Sequence, residues 1–369
     1  MASGWAIRPP QSSCPMETLS SCPKSTESAA AKILAKKSNE EASIEICGRL
    51  PVEILQHIFM SLDLATLHSV RQVNSFYLCV VHQTPAYNLL SKHAAETLQI
   101  MHLTDTARFF SLRRVFDEFC QPQCQTCGNF GPYIFLLNCK RCCFKCILTC
   151  SKHLLGPVCD LSELFFIPAS ILDKHLVTLR SLPGEYGFPE TQLCMQREWL
   201  TSFTAGLDLK KTVYKTREEA EKAAVTFQNS PECDMRRPIC WPERGKKSVY
   251  INKLRLMGST PFPFWDKEKR TVESGTYCVG CVWHHKHTPF YATRAYLMCN
   301  LPQHFANCHF AATFMSLPPH TKAQVLSEFG EKFFVNADGQ IGDIPPEEKM
   351  EKEEGKGKGS LLLHDKNAC

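Results

Sequence analysis

Between residues 44 and 119 the apolar positions recur at helical spacing. After Leu50 and Pro51, the side chains Ile54, Leu55, Ile58, Phe59 and Leu62 return every three or four residues and make a wide apolar face. Pro51 suits a first helical turn, where a missing N–H costs nothing. Asp63 is positioned to cap a second helix carrying Leu64, Leu67, Val70 and Val73. Asn74 or Ser75 can cap a third, carrying Phe76, Leu78, Val80 and Val81. Three short helices with tight polar joints do not bury every apolar side chain, so part of this surface is left for a partner. Phe109, Phe110, Leu112, Val115, Phe116 and Phe119 continue the pattern as a core or linking helix.

Beyond residue 120 the pattern is shorter-ranged. Residues 128–138 read as a short hairpin or strand, and 144–155 as a helix. Pro183, Gly184 and Gly187 signal a turn. Thr216 with Glu219 forms a capping box that opens a helix through Phe227. Residues 248–258 alternate like a strand, and the proline- and aromatic-rich 261–265 is extended. Residues 319–334 predict a last amphipathic helix. Residues 1–43 hold few large apolar side chains, so a disordered lead-in is expected, with transient helix at 28–37. The mixed-charge tail 337–369 is expected to be solvated and disordered, with Gly355, Gly357 and Gly359 interrupting its helix formers.

Composition narrows the class. The chain has 369 residues and a net charge of +5, a basic excess too small to imply a nucleic-acid surface by itself. No run of 18 uncharged apolar residues predicts a membrane span, and the N-terminal stretch lacks the apolar core of a secretory signal. Cytoplasm, nucleus or both are the expected compartments. The 21 cysteines are too many for a typical cytosolic chain, and in a reducing compartment clustered Cys with nearby His reads as metal binding.

Two clusters have ligand spacing. Cys124-x2-Cys127-Gly128 is a knuckle, in which two thiolates share one metal and the glycine permits the turn. The second pair is expected from Cys143 and Cys146, because a helix opening there would present both sulfurs at its N-terminus, where the dipole favours thiolate. Cys139 and Cys142 are alternates, and Cys120 and Cys150 are spares. Further on, Cys278-x2-Cys281 is a second knuckle, and His304-x3-Cys308 would lie one helical turn apart on one face. His284, His285, His287, Cys299 and His309 are bystanders or alternates. Four closed, thiolate-rich ligands at each cluster suit structural Zn2+, so two structural sites are expected. No H-E-x-x-H motif accompanies them, so metal-dependent hydrolysis is not expected and no catalytic residue is assigned. Cys233 and Cys240 suit no common finger. Arg236, Arg237, Arg244, Lys246 and Lys247 read as a solvated loop.

The helical block also carries a family likeness. Leu50, Pro51, Glu53, Ile54, Leu55, Ile58 and Phe59, then Leu64 and Leu67, then Val70, Arg71, Val73, Asn74 and Phe76, resemble an F-box over about 40 residues. With the cysteine-rich segments that follow, residues 44–312 resemble a group of fungal F-box proteins. The resemblance implies docking onto a Skp-type adaptor, and through it a cullin scaffold, by Leu50, Pro51, Ile54, Leu55, Ile58, Leu67 and Val70. It implies a ubiquitin-ligase substrate receptor for an unknown protein substrate, and it supplies no catalytic residues. The expected fold is α+β and mainly helical, with a three-helix F-box at 44–95 and an irregular zinc-stapled region at 96–336 made of short hairpins and helices. The competing reading is a zinc-dependent nucleic-acid-binding or general protein-interaction module. It would draw on Lys140, Arg141, Lys145 and Lys152, a thin basic set, so nucleic acid is not expected as a partner.

Overall fold

In the computed structural model the described residues are 4–7, 50–186, 192–229, 248–284, 294–327, 332–335 and 341–342. They mix helix and strand and fall into two compact units. The first strand, β1 (Gly4–Ile7), belongs to the smaller unit.

The larger unit opens with α1 (Val52–Ser61), whose first turn follows Pro51 at φ −54° and ψ 142°. The Asp63 carboxylate accepts the Thr66 N–H at 2.8 Å and starts α2 (Leu64–Val73). Asn74, rather than Ser75, caps α3 (Ser75–Gln83) by accepting the Tyr77 N–H at 2.9 Å. Three further helices follow: α4 (Pro85–His93), α5 (Ala95–Leu103) and α6 (Leu112–Phe119). Backbone bonds from Leu64 N–H to Phe110 and from Leu112 N–H to Leu62 tie the start of α2 to the start of α6.

The cysteine-rich segment adds to the same core. Strands β2 (Tyr133–Phe135) and β3 (Lys140–Cys142) form the expected hairpin. The helix α7 (Phe144–Thr149) follows, and β9 (Ser259–Pro261) pairs with the other edge of β2. Leu55, Phe59, Leu67 and Leu90 from the helices share one hydrophobic cluster with Ile134, Phe135, Cys146 and Phe262.

A three-stranded sheet lies beyond. It orders β4 (Leu155–Pro157), β8 (Trp199–Ser202) and β5 (Thr178–Arg180), with β8 central. Helices α8 (Val158–Phe165), α9 (Ala169–His175), α10 (Phe203–Val213) and α11 (Arg217–Gln228) accompany it, and both arms of the Thr216/Glu219 capping box are present. Small hairpins pair β6 (Gly184–Tyr186) with β7 (Gln192–Cys194) and β10 (Phe264–Asp266) with β11 (Thr271–Glu273).

Several expectations are corrected. Residues 248–257 form a helix, α12 (Ser248–Met257), not a strand. A short apolar run fits either period, and the decision comes from burial: Leu254, Arg255 and Met257 all turn inward. The smaller unit overturns three more. β1 pairs with β12 (Tyr277–Cys278) and with β13 (Lys332–Val335), so Gly4–Ile7 is ordered rather than part of a disordered lead-in. The last helix, α16 (Pro319–Ser327), stops before 334, and Phe334 sits in β13. Ile341 and Gly342 form β14 against β13 rather than disordered tail. Composition averaged over tens of residues does not register a four-residue strand whose partners are at least 270 positions away. The smaller unit also contains α13 (Val279–His284), α14 (Leu301–Asn307) and α15 (His309–Met315). The rest of both termini, Gly187, Cys233, Cys240, the 236–247 basic run, His285 and His287 lie outside the described residues.

Candidate metal centres

The first cluster is built by a turn and a helix start. The Gly128 N–H donates to the Cys124 carbonyl at 2.9 Å, closing the knuckle, and Gly128 takes φ +73°, which a side chain adopts only under strain. Asn129 supports the turn twice: its carbonyl accepts the Cys124 N–H at 2.6 Å, and its amide donates to Cys127 Sγ at 3.3 Å. Cys143 stands at the N-cap of α7 and Cys146 lies in its first turn. The four sulfurs of Cys124, Cys127, Cys143 and Cys146 lie within 4.8 Å of one another, with Cys127 and Cys143 at 3.6 Å. A tetrahedron of zinc–sulfur bonds about 2.3 Å long separates its sulfurs by about 3.8 Å, so this spacing fits.

The alternates do not reach the cluster. Cys142 points inward from β3, and its thiol faces the Tyr133 carbonyl at 3.7 Å. Cys139 is fully buried at φ +48°, and burial pushes its thiol up to about 12. Cys120 and Cys150 also stand outside the group.

Without a metal the sulfurs share protons. The Cys143 thiol donates to Cys124 and holds the Cys124 thiol down to about 4, while Cys143 itself is raised. Burial pushes Cys146 up to about 12. A dication would take the place of those protons.

Two buried arginines brace this centre. Arg141 is fully buried. Its guanidinium donates to the carbonyls of Glu118, Gly131, Phe262 and Pro263 at 2.7–3.2 Å, and its backbone N–H donates to the Glu118 carboxylate at 2.9 Å. A buried cation is tolerable only when so fully bonded. Arg255 donates to the carbonyls of Ile147 and Cys150, at 2.8 and 2.9 Å, and so holds the end of α7. Neither role was visible in the sequence. Arg141 reads there as one of four basic residues beside a knuckle, yet it is unavailable to any phosphate.

The second cluster lies in the smaller unit. Cys278 ends β12, Cys281 lies in α13, and His304 lies in α14. Cys281 Sγ is 3.4 Å from His304 Nε2 and 3.3 Å from Cys308 Sγ, and all four ligand atoms lie within 4.8 Å. The expected single helix for His304 and Cys308 is corrected. α14 ends at Asn307, and Cys308 takes φ −98° and ψ 106° between two helices. Its sulfur caps α15, accepting the Ala311 N–H at 3.3 Å. The two ligands converge although the backbone between them is not helical. The Tyr296 ring stacks on His304 at 4.3 Å. Sharing a proton with Cys281 pushes Cys278 up to about 12. Gly280 permits the approach of α13 to α15, because a β carbon there would meet the Phe310 carbonyl oxygen at 2.4 Å. Of the bystanders, His284 stacks on Phe310, His309 reaches Thr313, and Cys299 is exposed beside Asn300.

Both clusters offer four protein ligands and no fifth group among the described residues, an arrangement that suits a structural ion rather than a reactive one.

The seven residues of the implied docking face separate by burial. Leu50, Ile54 and Ile58 are 40%, 46% and 43% exposed, and Pro51 is exposed with them. Val70 is half-buried. Leu55 and Leu67, at 2% and 0%, belong to the core, where no partner reaches them. No family model, no curated protein and no solved structure matches this chain.

Proposed function

We propose that the chain is a substrate-receptor subunit of a Skp-cullin-F-box type ubiquitin ligase. The observation that carries this reading is the outward side of α1. Val52, Ile54 and Ile58 of the helix are exposed, with Leu50 just before it, while Leu55 and Phe59 fill the core. A helix that has already filled its own core yet keeps Val52, Ile54 and Ile58 in water is poised for a partner helix. Together with the F-box resemblance, the partner is a Skp-type adaptor, joined through it to a cullin scaffold.

On this reading the chain catalyses nothing. It raises the concentration of a protein substrate near an enzyme supplied by other subunits. Zinc at the two clusters holds together segments with little core of their own. No helix among the described residues is long and apolar enough to cross a membrane, consistent with action in cytoplasm or nucleus. The alternative, a zinc-dependent nucleic-acid module, loses support from the burial of Arg141.

The test is co-purification with a Skp-type adaptor, wild type against Leu50→Ala/Pro51→Ala/Ile58→Ala. Stoichiometric binding that the triple variant loses supports the proposal. A folded, zinc-loaded wild-type chain that does not bind refutes it.

A further inference from the structure

A cavity of about 830 Å3 opens in the larger unit, where the turn Thr106–Phe109, the start of α8, α9 and the approach to β8 meet. Its size suits several side chains of a peptide. One side of it is committed. Arg108 Nε lies 3.2 Å from Asp105 Oδ2, and Arg108 Nη2 lies 4.0 Å from Asp173 Oδ1. Asp173 also accepts the Thr178 hydroxyl at 2.8 Å, and Asp105 is held at φ 64°. Left-handed backbone at a residue with a side chain persists only where the surroundings impose it.

The opposite side is not committed. Glu198 has a fixed backbone: its N–H donates to Ser181 Oγ and its carbonyl accepts the Ser181 N–H, both at 2.8 Å. Its carboxylate and the neighbouring Arg197 guanidinium take part in none of the ion pairs among the described residues. Trp199 follows and is 43% exposed. Val158 and Ala169 supply apolar lining. Three carboxylates against two guanidiniums leave the cavity one negative charge in excess, on a chain whose net charge is +5. Glu198 and Arg197 cancel, so the excess comes from Asp105 and Asp173 sharing Arg108, and a cavity of that sign with Trp199 in its lining suits an alkylammonium or guanidinium.

We propose that this cavity is the recognition groove for an extended peptide segment that carries a lysine or arginine next to an aliphatic or aromatic residue. The cation lies over Trp199 and reaches Glu198, and the apolar neighbour packs on Val158 and Ala169. This deepens the receptor reading and rests on it for the consequence of binding, though not for the binding itself.

The experiment is selection of a random dodecapeptide phage library on the zinc-loaded full chain. Enrichment of Lys or Arg beside a large apolar residue is expected. The selected peptides, made synthetically with a fluorescent label, should bind Glu198→Lys and Trp199→Ala at least about tenfold more weakly by anisotropy. Arg197→Gln removes a like charge from the wall and should bind them about threefold more tightly, a gain that misfolding does not mimic. Enrichment of acidic or uncharged peptides, no enrichment, or equal binding by the wild type and all three variants overturns the proposal. Adaptor co-purification is measured on the same proteins. Peptide binding without adaptor binding sinks the ligase reading alone, and adaptor binding without the peptide preference sinks the groove alone.

Discussion

Arg141 shows how much a single side chain carries here. It joins the end of α6, Gly131 and the 262–263 segment, and desolvation pulls its guanidinium down to about 10. Replacement by methionine would leave the carbonyls of Glu118, Gly131, Phe262 and Pro263 without these donors. A loss of about 3–5 kcal/mol is expected in urea unfolding, because breaking one side of a buried polar network costs more than the network contributes. Gly280→Ala is a second expectation at this scale. With a β carbon 2.4 Å from the Phe310 oxygen, α13 must withdraw from α15. Zinc content should fall by one equivalent while all eight ligands remain, as measured by mass spectrometry of the native protein. The third concerns protons. Cys278 and Cys146 are both pushed up to about 12, so they are protonated at neutral pH in the metal-free chain. Each must lose its proton to bind metal, so zinc affinity rises with pH, by about tenfold per unit for each proton released. Competition with a chromogenic chelator at pH 6 and pH 8 measures the slope, and a flat profile would contradict it.

At the scale of elements, α1 is a helix with two commitments. Its inner side belongs to the core through Leu55 and Phe59, and its outer side is open. Substituting alanine at Leu50, Ile54 and Ile58 should therefore change stability little, within about 0.5 kcal/mol per site. Leu55→Ala should cost about 2–5 kcal/mol. Thermal melts that show equal losses at inner and outer positions would place the outer row in the fold rather than on a docking face. α7 was legible as a helix opening at Cys143 and Cys146, but spacing left Cys139 and Cys142 as alternates, and burial of those two separates them from the group. α12 was not legible, since its inward turn is set by where Arg255 finds its carbonyls, more than 100 positions back in the chain.

At the scale of the molecule, the two units differ in what holds them. The larger has an extended apolar cluster that includes few ligands. In the smaller, Cys278, Cys281 and Cys308 are themselves part of the core, beside Leu301, Phe305 and Val335. Chelation with EDTA should therefore make the smaller unit open to protease while the larger keeps most of its helical signal, as limited proteolysis with circular dichroism would show. Simultaneous loss of both would mean that the larger unit also depends on its metal centre.

What the sequence determined by itself was local. Helices at 52–83 followed from period and caps, and the Cys124/Cys127 and Cys278/Cys281 knuckles followed from spacing, because these depend on residues a few positions apart. Tertiary structure decided the rest. It brought Gly4–Ile7 to β12 and β13, chose Cys143 over Cys142 by turning Cys142 into the core, and bent the chain at Cys308 without losing the ligand. It buried two arginines and left Leu50, Ile54 and Ile58 in water while closing over Leu55 and Leu67. The strand pairing of Gly4–Ile7 and the arginine contacts to 262–263 and to α7 rest on partners far away in the chain, and pairing at that distance leaves no periodic trace in the sequence.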